Sequence, residues 1–422
     1  MTGAAKVKRK DDDLLDLNGG VSPLVSDLLA FCEQAFLADR REPRDSPDSP
    51  GWHRALSIEV AVEHLNVWSS APVLDRATEL LTWLTDDEWR IRFVQGTRHA
   101  KEGQGQFDLD PVERTVMLFS GGLDATAGAA LMLPETPLLA VGVVTNNAMR
   151  GYQRRVQRAL SQLGDIRYSR IPFSVVAGGD DSEPTRRTRG LIFLGVGVAA
   201  ALQRESRRLV VAENGIGALN LPFTGAQSGV MTSRAVNPRT LRLMAALVSE
   251  ITGAEFAIEN PFLGSTKGQM VRALPPEARE ACGHSQSCDN AAAGRGALQK
   301  RCGHCTSCLL RRVSFHAANR TEWDELPYLI DSKRREERWR LPEALWQAAT
   351  FDDVLRSNDD NALLRQFPDL RHVLDTELPH DALRELLATY VEEWRNYPDP
   401  IVPRFLPPLD QRDPLDNVVL VP

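Results

Sequence analysis

Apolar and polar residues follow one another in a repeated strand–helix order between about residues 113 and 260. Short apolar runs predict strands at 114–119, 138–144, 166–173, 208–212 and 255–258. Stretches of helical character separate these runs at 124–132, 150–163, 190–206 and 237–252. This alternation predicts a parallel sheet with helices on both faces, and such sheets bind ligands at the carboxyl ends of their strands. The predicted fold class is therefore α/β.

The segments on either side of this core have patterns of their own. Ser22-Pro23 predicts the start of a helix, and strand, helix and strand patterns at 54–63, 74–85 and 89–94 predict a small α+β unit. Residues 321–396 have helical spacing. We therefore predict an N-terminal helix and linker, an α+β unit, a central α/β domain, a cysteine segment and a helical extension with a proline-rich tail. Their boundaries are 1–52, 53–110, 111–280, 281–320 and 321–422.

Composition narrows the class of protein. Of the 422 residues, 42% are hydrophobic and 25% are charged, as in ordinary soluble globular proteins. The formal net charge of −7 argues against direct nucleic-acid binding. The longest apolar stretch, about 190–202, is shorter than the roughly 20 residues that a membrane span needs, and no signal peptide is visible. These features predict a cytoplasmic protein that neither spans nor binds a membrane.

The stretch VMLFSGGLDATAGAALML, residues 116–133, joins a strand to a helix through two glycines. It has neither the Gly-Lys-Ser/Thr ending of a Walker loop nor the third glycine of a dinucleotide fingerprint. Glycines and a helix N-terminus let backbone N–H groups approach phosphate oxygens. Asp124 suits Mg²⁺, an ion that proteins share with phosphates. The alternative is a tight turn with an aspartate in the first helical turn.

Five of the six cysteines fall between residues 282 and 308. In a reducing compartment such a cluster indicates a metal site rather than disulfides. Four thiolates with this spacing suit a tetrahedral Zn²⁺, and an iron–sulfur cluster is the competing interpretation. Cys282 and His284 are interpreted as bystanders. The predicted ligands are Cys288, Cys302, Cys305 and Cys308.

Strand–Ser-Gly-Gly-Xaa-Asp–helix resembles the signature of the PP-loop ATP pyrophosphatases. The resemblance implies that the loop holds the phosphates of ATP and that Asp124 positions Mg²⁺. Ala125 stands where the family usually has serine, so a hydroxyl contact is lost or moved to Thr126. The implied ATP-binding residues are Ser120, Gly121, Gly122, Leu123, Asp124 and Thr126.

Other segments resemble QueC, the 7-cyano-7-deazaguanine synthase family, over about residues 113–320. RCGHCTSCLLRR places Arg311 on a family arginine. RTRGLIFLGVGVAAAL places Arg189 on another, with Gly190 where asparagine is usual. IENPFLGSTKGQMV places Lys267 on the family lysine, with Gln269 where glutamate is usual.

Two further segments match the family less well. VVAENG places Glu213 near a family glutamate, and we assign Glu213 and Asn214 to substrate binding. The Asp-Tyr-Gly-Gln stretch of the family is replaced here by TNNAMRGYQRR. The implied catalytic residues are Asp124, Lys267 and Arg189. Asp124 would position Mg²⁺, and Lys267 or Arg189 would neutralise the charge that grows at the α-phosphate of ATP.

The long flanks resemble those of QueC-like proteins of bacterial anti-phage defence systems, such as the QatC group. The resemblance implies a carbon–nitrogen ligase that adenylates a 7-carboxy-7-deazaguanine for attack by an amine. That amine is ammonia or belongs to a partner protein of the same operon. The flanks dock that partner, thicken the core or form a homodimer. The competing interpretations are a housekeeping nitrile synthase for tRNA modification, a zinc-ribbon protein with a vestigial nucleotide site, and a PP-loop tRNA thiolase.

Overall fold

The structure is a computed structural model. It describes residues 6–9, 21–44, 52–96, 112–144, 147–176, 183, 187–223, 233–288, 301–329, 340–357, 359–374 and 376–407. The predicted proline-rich tail after residue 407 and part of the predicted linker, 45–51, lie outside the described residues. None of the helices in these ranges is long and apolar enough to cross a membrane.

The strands are β1 (Lys6–Arg9), β2 (Ala55–Val62), β3 (Glu88–Gln95), β4 (Thr115–Leu118), β5 (Leu138–Val144), β6 (Ile166–Val176), β7 (Arg208–Val211) and β8 (Ala257–Glu259). The helices are α1 (Pro23–Arg41), α2 (Leu65–Trp68), α3 (Ala71–Thr85), α4 (Leu123–Met132), α5 (Asn147–Leu160), α6 (Arg189–Gln203), α7 (Gly215–Leu219), α8 (Pro238–Thr252), α9 (Lys267–Ala273), α10 (Arg279–His284), α11 (Thr306–Ala317), α12 (Arg340–Ser357), α13 (Asp360–Gln366), α14 (His380–Arg395) and α15 (Val402–Phe405).

The central sheet has the order β1-β6-β5-β4-β7-β8, and its last five strands are parallel. Every residue of β5 is buried, as expected for a strand covered on both faces. The chain moves from β4 to β5 on one side and returns to β7 on the other. The carboxyl end of β4 is therefore the switch point where ligands bind in such sheets. The predicted α/β class is confirmed.

The edge strand β1 was not predicted from the sequence. It pairs antiparallel with the end of β6, with Lys6 opposite Val176 and Arg9 opposite Phe173. Only four residues form it, which is too short a run for an alternating pattern to stand out.

The α+β unit consists of β2 and β3, which pair in parallel with α2 and α3 between them. Alternate residues of β2 are buried, in agreement with its sequence pattern. This unit and α1 share one apolar cluster with a face of the central sheet, in which Leu28, Val60, Leu80, Val141 and Leu247 are buried.

The other face of the sheet and the C-terminal helices have separate apolar clusters. Helices α4 and α5 and the segment from α9 to α11 pack on the sheet around Met117, Phe119 and Phe315. Helices α12 to α14 enclose a cluster that includes Leu345 and Trp394 and reaches α7 and α11. The division of the chain into domains stays a prediction.

Candidate functional site

The glycine turn lies at the carboxyl end of β4. Gly121 has a φ of +80°, a left-handed backbone conformation that favours glycine. Gly122 has extended backbone and is the N-cap of α4. A Cβ on Gly121 would lie 3.0 Å from Cγ of Gln153, so helix α5 also keeps this position small. The turn therefore presents the N-terminus of α4 at the switch point.

Two backbone N–H groups of the turn are capped by hydroxyl groups. The N–H of Gly122 donates to Oγ of Ser120 at 3.1 Å, and the N–H of Leu123 donates to Oγ of Ser287 at 3.0 Å. The N–H of Gln286 donates to the carbonyl of Gly121 at 2.9 Å. The chain just before the first predicted metal ligand thus lies along the turn. An anion could replace these hydroxyl groups as the acceptor.

Four predicted residues meet beside the turn. Nζ of Lys267 lies 2.7 Å from Oδ2 of Asp124. Nδ2 of Asn214 donates to Oδ1 of Asp124 at 2.9 Å and to Oε1 of Glu213 at 2.8 Å. The structure therefore brings together a carboxylate from α4, a lysine from α9, and an amide and a carboxyl group from the end of β7.

Local structure explains how each side chain is held. Asn214 is the N-cap of α7, and its Oδ1 accepts from the N–H of Gly217 at 3.0 Å. Lys267 is the first residue of α9, whose capping box joins Thr266 and Gln269. Either glutamate or glutamine can close such a box, so Gln269 keeps the local structure that a glutamate would have.

Burial raises the pKa of Glu213 to about 8, and the neighbouring Asp124 carboxylate acts in the same direction. This shift favours the protonated form of Glu213 relative to an ordinary glutamate. Burial lowers the pKa of Lys267, but Asp124 and Glu213 outweigh this effect and leave its pKa raised. Lys267 is thus a cation next to the turn, and Glu213 in its protonated form can both donate and accept a hydrogen bond.

Other predicted residues lie in different settings. The Thr126 hydroxyl is fully buried and donates to the carbonyl of Gly122 at 2.7 Å, so it supports the turn from inside the helix. Arg189 begins α6, is exposed, and stacks over the Phe193 ring. A Cβ on Gly190 would lie 2.2 Å from Cβ of Ala235, which explains why no asparagine stands there.

The four predicted metal ligands form one buried cluster. Their Sγ atoms all lie within 4.8 Å of one another, and those of Cys302 and Cys308 are 3.8 Å apart. Gly303 has a φ of +86°, which lets the chain turn tightly between two ligands. A tetrahedral ion with metal–sulfur bonds of about 2.3 Å places its sulfurs about 3.8 Å apart. The cluster therefore fits one metal ion better than a cubane, whose four irons hold the cysteines farther apart.

Arg311 lies in a buried ion triad next to this cluster. Oδ1 of Asp324 lies 2.8 Å from Nε of Arg311 and 2.7 Å from Nη1 of Arg301. The two guanidinium groups also donate to the backbone or side chain of Cys282, Gly283 and Ser285. The triad, which we define as Arg301, Asp324 and Arg311, therefore fixes the segment that leads to Gln286 and Ser287.

Sequence reasoning missed several residues of this site. Gln286 and Ser287 contact the turn, and Nε2 of Gln153 donates to the carbonyl of Ser120 at 3.2 Å. The position of Ser287 directly before Cys288 was a usable signal, because a metal ligand fixes the backbone of its neighbours. The pairing of the triad left no local pattern in the sequence.

The chain is similar to a 7-cyano-7-deazaguanine synthase from Myxococcus xanthus (strain DK1622). The two are 29% identical over 224 residues, which are 49% of this chain and 94% of that protein. No family model matches the chain. The similarity supports a QueC-like family assignment for about half of the chain, and it indicates a QueC-like ATP-dependent enzyme of the ligase or synthase kind.

Proposed function

We propose that this chain is an ATP-dependent ligase that adenylates a carboxylate of the 7-carboxy-7-deazaguanine type and passes the acyl group to an amine. A carboxylate oxygen attacks the α-phosphate of ATP, and pyrophosphate leaves. The amine nitrogen then attacks the acyl carbon, loses a proton, and AMP leaves. The proposal rests on one observation. A network of one ion pair and two hydrogen bonds lies beside a glycine turn at the switch point, and its members are Asp124, Lys267, Asn214 and Glu213.

The turn supplies the phosphate-binding groups. The N–H groups of Gly122 and Leu123 point to hydroxyl oxygens in the structure, and pyrophosphate oxygens would take over these hydrogen bonds. Ser120 is exposed at the turn and can donate through its hydroxyl. The partial positive charge at the N-terminus of α4 favours the anion further.

Lys267 places a cation beside the turn, since its Nζ lies 2.7 Å from Oδ2 of Asp124 in the first turn of α4. Its ammonium group would stabilise the charge that develops on the α-phosphate during attack. Arg189 has the same proposed role on the QueC resemblance alone, since its contact to Phe193 lies within α6. Glu213, whose pKa is raised by burial, would hydrogen-bond the N–H and carbonyl edge of the deazaguanine together with Asn214.

Asp124 would hold Mg²⁺ with the phosphates. Each of its oxygens has one partner in the structure and a further lone pair to offer, and carboxylate oxygens are ligands that Mg²⁺ prefers. When bound, the ion would neutralise phosphate charge. The four-cysteine cluster would hold Zn²⁺, and four thiolates leave no open position for water, so this zinc would be structural.

An ATP–pyrophosphate exchange assay tests the proposal. Exchange that depends on 7-carboxy-7-deazaguanine, with AMP as the nucleotide product, is the expected result. Release of ADP would contradict cleavage between the α- and β-phosphates. A protein that binds ATP but never turns it over would favour the vestigial-site interpretation.

Two products separate the leading proposal from a second candidate. The second candidate is a nitrile synthase of the housekeeping kind, and it is favoured by the similarity over 94% of a protein named 7-cyano-7-deazaguanine synthase. The long flanks favour a defence-associated ligase with a partner protein as the acceptor. Mass spectrometry after reaction with the operon partners decides: a partner that gains the acid minus one water supports conjugation, and free nitrile alone supports the synthase.

A further inference from the structure

The helix that begins with Lys267 is covered at its N-terminus by a carboxyl group from the C-terminal extension. Oγ1 of Thr266, the N-cap of α9, donates to Oε1 of Glu393 on α14 at 2.5 Å. Thr266 is 0% exposed and Glu393 is 6% exposed. This buried hydrogen bond joins residues that are 127 positions apart in the chain.

Gly268 makes room for this contact. A Cβ at Gly268 would lie 2.2 Å from Oε1 of Glu393 and 3.1 Å from Oε2. Any side chain at this position would push the carboxyl group away, so a glycine is needed for the close approach. The residue after Lys267 is thus fitted to a helix that lies about 120 residues further along the chain.

Helix α14 also reaches the start of α7. Cδ2 of Leu386 lies 2.5 Å from where a Cβ on Gly215 would be, and Gly215 is the first residue of α7. The N–H of Gly215 donates to the carbonyl of Ser265 at 2.8 Å, which ties the starts of α7 and α9 together. One helix of the extension therefore contacts both helices that present Asn214 and Lys267 to Asp124.

These two helices are too short to hold their own positions. Helix α7 has 5 residues and α9 has 7, and isolated helices shorter than roughly 12–15 residues are marginal in water. Packing must fix them. A misplacement of about 1 Å in a catalytic group can cost about a hundredfold in rate, so whatever fixes α9 also sets the efficiency of Lys267.

We propose that Glu393 is a positioning residue for Lys267, and that α14 of the C-terminal extension is therefore a working part of the site. The role of Lys267 in adenylation rests on the proposed function. The hydrogen bond of Glu393 to Thr266 and the packing of Leu386 on Gly215 hold the starts of α9 and α7, and these hold the ammonium and amide groups against Asp124.

The test compares Glu393→Ala and Glu393→Gln with Glu392→Gln in the full chain. Glu392 is the neighbouring carboxylate. It is exposed and is bonded to Arg395 in the last turn of α14 and to the C-cap Asn396, so it is a matched control. We expect Glu393→Ala to lower kcat for ATP–pyrophosphate exchange by about tenfold or more while KM for ATP changes by less than about threefold. Glu393→Gln keeps an acceptor for Thr266 and should retain most of kcat. A folded Glu393→Ala variant with the kcat of the unchanged protein overturns the proposal.

A second readout does not need the proposed reaction. Acetic anhydride modifies lysines at rates that report their exposure and pairing, and mass spectrometry follows the peptide that contains Lys267. We expect faster modification of Lys267 in Glu393→Ala and an unchanged rate in Glu392→Gln. Where Glu393→Ala does not fold, Glu393→Asp replaces it, since the shorter side chain cannot reach Thr266. Equal rates in the variant and the unchanged protein overturn the positioning role, whereas absence of exchange in the unchanged protein overturns only the proposed function.

Discussion

Asp324→Asn is the most informative single substitution in the buried triad. Asp324 accepts from Arg301 and Arg311, which are both 0% exposed, and from the hydroxyl of Tyr328. Asparagine keeps the size of the side chain and removes its charge. Two buried guanidinium groups would then face each other without a counter-charge, which is the arrangement that makes breaking a buried ion pair so costly.

The expected loss of stability in Asp324→Asn follows from that geometry. Removing one partner of a buried ion pair costs about 3–5 kcal/mol, against a total stability of about 5–15 kcal/mol for a native domain. Glu325→Gln is the matched control, because its partner Arg279 is exposed and such pairs contribute about 0–1 kcal/mol. We therefore expect a loss of at least about 3 kcal/mol for Asp324→Asn and less than about 1 kcal/mol for the control.

Urea unfolding at pH 7 with zinc present measures this difference. The triad also fixes Ser285, two residues before Ser287, so the affinity for ATP should fall in Asp324→Asn and not in Glu325→Gln. A midpoint shift no larger than that of the control, with the slope unchanged, would refute the reasoning. That result would mean that water or another acceptor can satisfy the two arginines as well as Asp324 does.

The pKa of Asp324 also predicts how its contribution to stability changes with pH. Burial alone would raise the pKa of Asp324, but Arg311 and Arg301 outweigh it and leave the pKa below its usual value of 3.8. A carboxyl group with a lowered pKa contributes stability that is present above the pKa of the unfolded chain and is lost as the pH falls through the folded value. The difference in free energy of unfolding between the unchanged protein and Asp324→Asn should therefore become smaller in acid.

Protein purified without added metal should contain about one zinc per chain by elemental analysis, and Cys302→Ser should fail to fold; stoichiometric iron and sulfide would contradict this. Asp124→Asn should abolish release of AMP while the circular dichroism spectrum stays unchanged, and retained turnover would exclude Asp124 from the chemistry. Burial raises the pKa of Glu393 from 4.5 to about 7, against the opposing Thr266 hydroxyl and Arg272, so native stability should fall by about 3 kcal/mol as the pH rises from 4.5 through 7. Glu393→Gln should flatten this part of a urea-midpoint profile, and a profile identical to that of the unchanged protein would contradict the buried carboxyl group.

The features that the sequence predicted are those whose physics is local. A strand, two glycines and a helix start are consecutive in the chain, and four cysteines can bind one ion because they are close in sequence. The meeting of Asp124 and Glu213 could also be expected, since both follow parallel strands, and β4 and β7 prove to be neighbours. The carboxyl ends of neighbouring parallel strands share one edge of the sheet.

The contacts that the sequence did not predict join distant segments by side chains of ordinary appearance. Asp324 is one of 57 acidic residues, and nothing near it in the chain marks it as the partner of two buried arginines. Glu393 follows Glu392, and helical spacing alone would place one of them at the surface without saying what the other meets. Only the packing of α14 on α9 distinguishes these two carboxyl groups.

This packing decides how the role of the C-terminal extension can be tested. Truncation to the core around residues 113–320 would remove α14, and with it the contacts that hold Thr266 and Gly215. Loss of activity on truncation would then follow from a displaced Lys267 as readily as from a lost docking surface. A docking role must therefore be examined by substitutions on the outer face of α14, where Glu385 and Glu392 are exposed, with the modification rate of Lys267 as proof that the site itself is intact.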